Sequence, residues 1–232
     1  MRQNSARVTA SNGAHEAEVL ATLREDLMTG GDASRSPRRV LMDAILRDFP
    51  YSFETERLTI RGPLPGDGPK IREAILESKP ELQLWMPWAV NVGTEEEYEA
   101  LVRNAQLRFL AREDMWMILL YRERDMIIGG SGLHRIDWNV PKFEIGYWAR
   151  TKFTGQGLIS EAVKGISKFA FELLKAQRLE IRCDARNERS KAIPRRLGFT
   201  LEGTIRHDSR HHITNELRDT MVFAKLAKSD QV

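Results

Sequence analysis

Residues Gly155-Gln156-Gly157 constrain this chain more than any other short stretch. They follow an alternating apolar run, Lys142 to Arg150, that reads as a strand, and they precede an amphipathic helix opening at Leu158. A strand that turns into a helix through two glycines aims several backbone N–H groups at one point before the helix. The aligned peptide dipoles there attract an anion. Lacking Cβ atoms, Gly155 and Gly157 let a group as large as a pyrophosphate approach the main chain. A lone Gly-x-Gly also has a plain steric reading as a tight turn, so the surrounding residues decide.

Those surroundings are mixed α/β from Phe53 onward. Arg57 to Arg61 alternates as a strand. Asp67 to Ser78 reads as a helix, with Pro69 in its first turn and Ile71, Ala74 and Ile75 on one face. Thr94-Glu95-Glu96-Glu97 opens another helix as a capping box, continuing through Leu101, Ala105 and Phe109. Strands are predicted over Met115–Arg122, Met126–Ile136 and Lys142–Arg150. Next come a helix over Leu158–Leu174, a strand over Arg178–Ala185 with Leu179, Ile181 and Cys183 on one side, and a short helix over Asn187–Leu197. Strands over Thr200–Arg206 and Leu217–Leu226 close the chain. This order suits an α/β (α+β) domain with one mixed sheet flanked by helices. Residues 1–41 differ: a short amphipathic helix from Glu16 to Met28 runs into Gly30-Gly31 and a basic linker. They are read as a flexible tail or extension before a domain spanning 42–232, with Met42 a candidate natural start.

Composition narrows the function classes. Cys183 is the only cysteine, which excludes an intrachain disulfide and a thiolate metal cluster and points to a reducing, cytoplasmic setting. No apolar run reaches the roughly 20 residues that span a bilayer. The net charge of +3 suits an anionic cofactor without demanding nucleic acid. The densest basic cluster (Arg178, Arg182, Arg186, Arg189, Lys191, Arg195, Arg196) has two readings, solvated surface or attraction for phosphates near the Gly155 turn.

Further residues stand in order along the chain: Thr55-Glu56-Arg57-Leu58, Trp85-Met86-Pro87-Trp88, Ile145-Gly146-Tyr147-Trp148, Gly155-Gln156-Gly157, Glu161-Ala162, Asn187 and Ser190. Ala192-Ile193-Pro194, Leu197-Gly198-Phe199 and Leu201-Glu202-Gly203 complete the set. Together they resemble the GCN5-related N-acetyltransferase (GNAT) superfamily, in particular its ribosomal-protein N-acetyltransferase branch, from about Phe53 to the C-terminus. The resemblance implies one mostly antiparallel sheet with a V-shaped splay at an acetyl-CoA site. It places the pyrophosphate on the amides of Phe153, Thr154, Gly155, Gln156, Gly157 and Leu158. Lys152 stands where the family has Gln or Arg, keeping the charge but not the planar fork. The pantetheine arm is expected along Tyr147, Trp148 and Ala149, where a backbone N–H can stabilise an oxyanion.

Asn187 is an N-cap by its chemistry and a pantetheine contact by resemblance; Ser190 is a helix residue by chemistry and a hydrogen-bond partner of the departing sulfur by resemblance. Pro194 removes one hydrogen bond from its short helix. For the general base, Glu144 is the first candidate, with His207, Asp208 and Asp219 as others; Ser209 occupies the position where the branch carries a carboxylate. Trp85 and Trp88 fall in the segment that lines the acceptor side in relatives, or they only seal the core. His207, His211 and His212 have the look of an exposed loop, and no metal is expected.

The leading expectation is an acetyltransferase whose partners are acetyl-CoA and an amine, foremost the α-amino group of a ribosomal protein. A small-molecule amine (polyamine, amino acid or antibiotic) is the alternative acceptor. A non-catalytic CoA-binding module is a third reading. No direct nucleic-acid or membrane partner is expected, and pairing with a second copy is left open.

Overall fold

The computed structural model describes residues 44–227; the expectations for 1–41 and for Met42 lie outside the described residues. Among the described residues eight strands form a single sheet. They are β1 (Ser52–Glu54), β2 (Leu58–Arg61), β3 (Met115–Tyr121), β4 (Met126–Asp137), β5 (Lys142–Ala149), β6 (Arg178–Asp184), β7 (Thr200–Arg210) and β8 (Leu217–Leu226). The helices are α1 (Asp67–Leu82), α2 (Glu95–Leu110), α3 (Leu158–Glu172) and α4 (Glu188–Arg196). Strand order is β1-β2-β3-β4-β5-β6-β8-β7.

Neighbours are antiparallel except β5 and β6, which run parallel and are joined through α3. A parallel pair needs such a crossover, since a hairpin cannot return the chain in the same direction. The parallel ladder holds only at Lys142–Arg178, Phe143–Leu179 and Glu144–Glu180. Beyond Glu144 the two strands separate, so Ile145 to Ala149 keep a free edge on that side. This is the V-shaped splay.

Alternation within the strands sorts two apolar layers. Met115, Met117 and Leu119 of β3 join Phe143 and Ile145 of β5 against Leu158, Ala162, Ile166 and Phe169 of α3. Ile118 and Leu120 face the other way, onto Ile71, Ala74 and Ile75 of α1 and Val102 of α2. The capping box forms as its sequence predicts, with Thr94 accepting from the Glu97 amide and Glu97 accepting from the Thr94 amide.

Three differences from the sequence reading have local causes. β1 has three residues, too few for an alternation to register. Helix α1 continues past Ser78 to Leu82 with Pro80 inside it, which leaves the Leu76 carbonyl without its usual amide donor. Strand β7 continues to Arg210, so His207, Asp208 and Ser209 belong to a strand, not to the loop expected there. The ladder with β8 is irregular between Ile205 and Ser209, where His207 has φ 53°. A bulge of this kind lets the pairing resume and conceals the strand from a period-two pattern. Among the described residues no helix is long and apolar enough to cross a membrane.

Candidate active site

Both glycines of the turn have φ 77°, the left-handed region that side-chain-bearing residues enter at a cost. Gly157 is the N-cap of α3 and offers no side chain to the helix end. The amides of Phe153 and Thr154 already donate to the carbonyls of Arg150 (2.9 Å) and Thr151 (3.0 Å). Free donors are therefore concentrated at Gly155, Gln156 and Gly157 and in the first turn of α3, where no intrahelical acceptor exists. Phe153 and Thr154 still wall the adjoining cavity with their side chains.

A polar knot holds this turn. Glu161, in the first turn of α3, accepts from the Thr55 hydroxyl (2.6 Å), the Arg57 amide (2.7 Å) and the Arg57 guanidinium (2.7 Å). Arg57 also donates to the Gln156 carbonyl at 3.1 Å. Burial raises the Glu161 pKa, but these hydrogen bonds outweigh it and hold the carboxyl below its ordinary value. A depressed carboxyl stabilises the fold above its unfolded pKa, and the benefit disappears as pH falls through the folded value. Replacing Glu161 with Ala is expected to lower unfolding free energy by about 2 kcal/mol near neutrality. The wild-type advantage, followed by urea unfolding, narrows towards acid pH; an advantage independent of pH contradicts the assignment.

Two cavities flank β5. The first, about 450 Å³, lies in the splay between Tyr147–Ala149, the Thr154–Ser160 segment and α4. Asn187 caps α4 by accepting from the Ser190 amide at 3.0 Å, which leaves its side-chain NH2 as the unused donor. Tyr147 reaches across the splay to the Ser190 carbonyl (3.0 Å) and lies 3.1 Å from the Ser190 hydroxyl. Burial pushes the Tyr147 phenol well up, so it stays protonated and a donor. With that proton on the carbonyl, the phenol oxygen is left to accept from the Ser190 hydroxyl.

The basic cluster divides here. Arg178, Arg182, Arg186 and Lys191 are paired with carboxylates. Arg189 and Arg196 wall the cavity, and Arg196 donates to Ser160 Oγ at 2.9 Å beside the helix N-terminus. Lys152 pairs with Glu77 at 3.2 Å.

The second cavity, about 510 Å³, lies on the opposite side of β5 under α1 and α2, and its aromatic walls include Trp88, Tyr98, Trp116 and Trp148. Met86, Tyr147 and Trp148 line both cavities, so the two meet there. Trp148 packs edge-on against Trp88, with ring centroids 6.0 Å apart. Gly130 permits the convergence of two indoles: a Cβ there would lie 2.5 Å from Trp148 Nε1 and 3.1 Å from Trp116 Nε1.

A cationic, amide-rich pocket and an apolar one, joined at a bare strand edge, suit the transfer of a group between an anionic donor and a second substrate. The acetyltransferase (GNAT) domain family matches residues 57–200. The chain belongs to the GNAT acetyltransferase family. It is 31% identical over 176 residues to the "Putative ribosomal N-acetyltransferase YdaF" of Bacillus subtilis, covering 75% of this chain and 93% of the relative. It is 28% identical over 158 residues to the ribosomal-protein-serine acetyltransferase of Escherichia coli, covering 68% and 86%. Its fold matches the solved structure of RimL, the ribosomal L7/L12 alpha-N-protein acetyltransferase in complex with coenzyme A. That match has TM-score 0.70 at 23% identity and covers 76% of this chain and 97% of RimL.

Within this GNAT domain the acidic and aromatic candidates take distinct places. Trp88 walls the apolar cavity, whereas Trp85 walls the one in the splay. Glu144 sits at the last rung of the parallel ladder and lines neither cavity. Burial raises its pKa, with Arg135, Arg182 and His134 pulling it partly back, and Arg135 lies 3.2 Å away. The Asp219 carboxylate accepts from the His207 amide at 2.8 Å, and Asp208 lies 3.6 Å from Arg182. His211 and His212 stack on each other and donate from Nε2 to the Leu84 (3.0 Å) and Gln83 (2.7 Å) carbonyls, pinning the β7–β8 turn to the end of α1. None of Asp208, Asp219, His207, His211 and His212 lines either cavity. The sequence reading passed over Ser160, Arg189 and Arg196 as individual contacts and His134 altogether. Only the clustering of arginines around Asn187 and Ser190 signalled the cationic wall.

Proposed function

We propose that this GNAT protein is an acetyl-CoA-dependent N-acetyltransferase whose acceptor is the N-terminal α-amino group of a protein, a ribosomal protein foremost. The observation that carries the reading is the junction of the two cavities at Tyr147 and Trp148, beside the free edge of β5. Acetyl-CoA fits the first cavity by chemistry. The amides of Gly155, Gln156, Gly157 and Leu158 match a diphosphate, and Arg189 and Arg196 supply cations. The edge from Tyr147 to Ala149 offers strand-like pairing to an amide-bearing arm. When bound, that cosubstrate supplies an acetyl group activated as a thioester. We assign to Ser190, beside Tyr147 on the cavity wall, the hydrogen bond to the sulfur, and to the NH2 of Asn187 a contact with the arm.

The acceptor side supports an α-amine. Such an amine titrates near 8, against about 10.4 for a lysine side chain, so it is far more often neutral at working pH. Aromatic walls exclude water from a reactive acyl group, and the names of the relatives point to ribosomal proteins. The modest size of the aromatic cavity favours a second reading, a small-molecule amine. The test is incubation of the full chain with labelled acetyl-CoA and three acceptor sets: peptides with free N-termini, the same peptides N-terminally blocked, and a panel of polyamines and amino acids. Label on free peptides alone supports the proposal. Label confined to small amines replaces the acceptor, and CoA release at the rate of background hydrolysis in every arm rejects catalysis.

A further inference from the structure

We infer that His134 and Asp114 form a proton-accepting dyad on the acceptor side, with His134 Nε2 as the general base for the attacking amine. The idea rests on the proposed amine acceptor. His134 is in β4 and Asp114 immediately precedes β3; Met115 pairs with Leu133, so the antiparallel register brings the two residues opposite one another. His134 Nδ1 lies 2.9 Å from Asp114 Oδ2. A carboxylate only accepts, so the neutral ring carries its proton on Nδ1 and leaves the Nε2 lone pair free.

The ring borders the aromatic cavity. His134 lines it beside Gly146 and Tyr147, and Nε2 has no hydrogen-bond partner among the described residues. Two glycines make room for the ring: a Cβ on Gly132 would lie 3.0 Å from Nε2, and one on Gly146 would lie 3.4 Å from it. Directly after His134 the β4–β5 ladder breaks and Arg135 adopts φ 47°, an irregularity of the kind that re-aims a side chain next to a site. The ring is thus oriented by a carboxylate behind and an open cavity in front. Glu144, opposite His134 on β5, lines neither of the two cavities.

In the transfer, the amine nitrogen bonds to the acyl carbon and its surplus proton passes to His134 Nε2. The carbon–sulfur bond breaks, and the departing thiolate takes up a proton as the imidazolium releases its own to solvent. Amine and thioester give amide and thiol. The charged groups around the ring are Asp114, Arg108 of α2 (3.6 Å from Asp114), Glu97 of α2 on the cavity wall, and Arg135 and Glu144.

The test uses the full chain, acetyl-CoA and free-N-terminus peptides, with His134→Gln, His134→Ala and Asp114→Asn. Both His134 variants should lose at least about 100-fold in kcat while binding acetyl-CoA as wild type does by calorimetry. Asp114→Asn, which leaves the base but unfixes its tautomer, should lose roughly 10-fold or more. Raising pH should restore His134→Gln in step with amine deprotonation, and added imidazole should rescue His134→Ala. A merely structural histidine does neither. Independently of any acceptor, nitrogen-15 spectra of the neutral His134 ring should place its proton on Nδ1. Wild-type kcat in His134→Gln, or a neutral ring protonated on Nε2, overturns the dyad. A wild-type protein that acetylates no amine while showing the Nδ1 proton rejects the acceptor reading and leaves the tautomer, and so the base geometry, standing.

Discussion

Replacing Gly155 and Gly157 together with valine is expected to weaken acetyl-CoA binding by about 100-fold or more, measured by calorimetry. Both positions hold φ 77°, a region that costs ordinary L-residues about 1–2 kcal/mol each and β-branched ones more. Space is not the obstacle: a Cβ at Gly155 meets nothing within 4 Å, and one at Gly157 meets only Arg57 Nη2 at 3.7 Å. The chain therefore escapes strain by reshaping the turn, and the amides lose their common aim. A hydrogen bond to a charged group contributes about 1.5–3 kcal/mol, so two misdirected donors suffice for the expected loss, since 100-fold is about 2.7 kcal/mol. Alanine in place of each glycine should give a smaller effect in the same direction. A double valine variant that binds as wild type does would show that the anion sits elsewhere.

The second large effect is expected at Trp148. It is 9% exposed, lies in the α1–α2 apolar layer and forms part of the wall of both cavities. Truncating a buried tryptophan to alanine costs about 3–5 kcal/mol from lost transfer energy and the void left behind. Here the void also merges the two cavities and removes the edge-on partner of Trp88. Trp148→Ala should accordingly lose several kcal/mol in urea unfolding and lose kcat/KM by more than its folded fraction explains. Trp148→Phe should keep most of both, because a smaller ring still separates the cavities. Equal activity per folded molecule in the alanine variant would make Trp148 a packing residue alone.

Why some of this was legible in the chain and some was not follows from the reach of each signal. The Gly155–Gly157 turn was readable because two conformational demands and a helix start are written within a few residues. The capping box at Thr94 and Glu97, and the cap from Asn187 to Ser190, are equally local. The parallel β5–β6 pair suits a strand–helix–strand order and the family resemblance implied a splay, but where the ladder ends, at Glu144, is set by register that no local signal carries. By contrast, Asp114 and His134 meet only through the β3–β4 register, and no spacing in the sequence marks them. Arg196 and Arg178 look alike as letters; one walls a cavity and the other is tied to Glu180 and Glu202. Trp85 and Trp88, three residues apart, end on different cavities because Trp88 sits within the short 3-10 turn Pro87–Ala89 and Trp85 precedes it. His207 to Arg210 resembled a loop because a bulge interrupts the alternation on which strand recognition rests.

Stability and chemistry share one scaffold around the turn. Glu161, Thr55 and Arg57 bind the start of α3 to the link between β1 and β2, and Arg57 also holds the Gln156 carbonyl. This arrangement fixes the Gln156 carbonyl and leaves the neighbouring N–H groups without an acceptor, which preorganises the turn for the anion proposed to bind there.

The most direct test is to follow the backbone amides of the isotopically labelled protein while acetyl-CoA is added. The amides of Gly155, Gln156, Gly157 and Leu158 should show the largest downfield proton shifts, with smaller changes along Tyr147 to Ala149 and at Asn187. Saturable shifts clustered elsewhere, with these four amides unmoved, would contradict the assignment of this turn as the seat of the diphosphate.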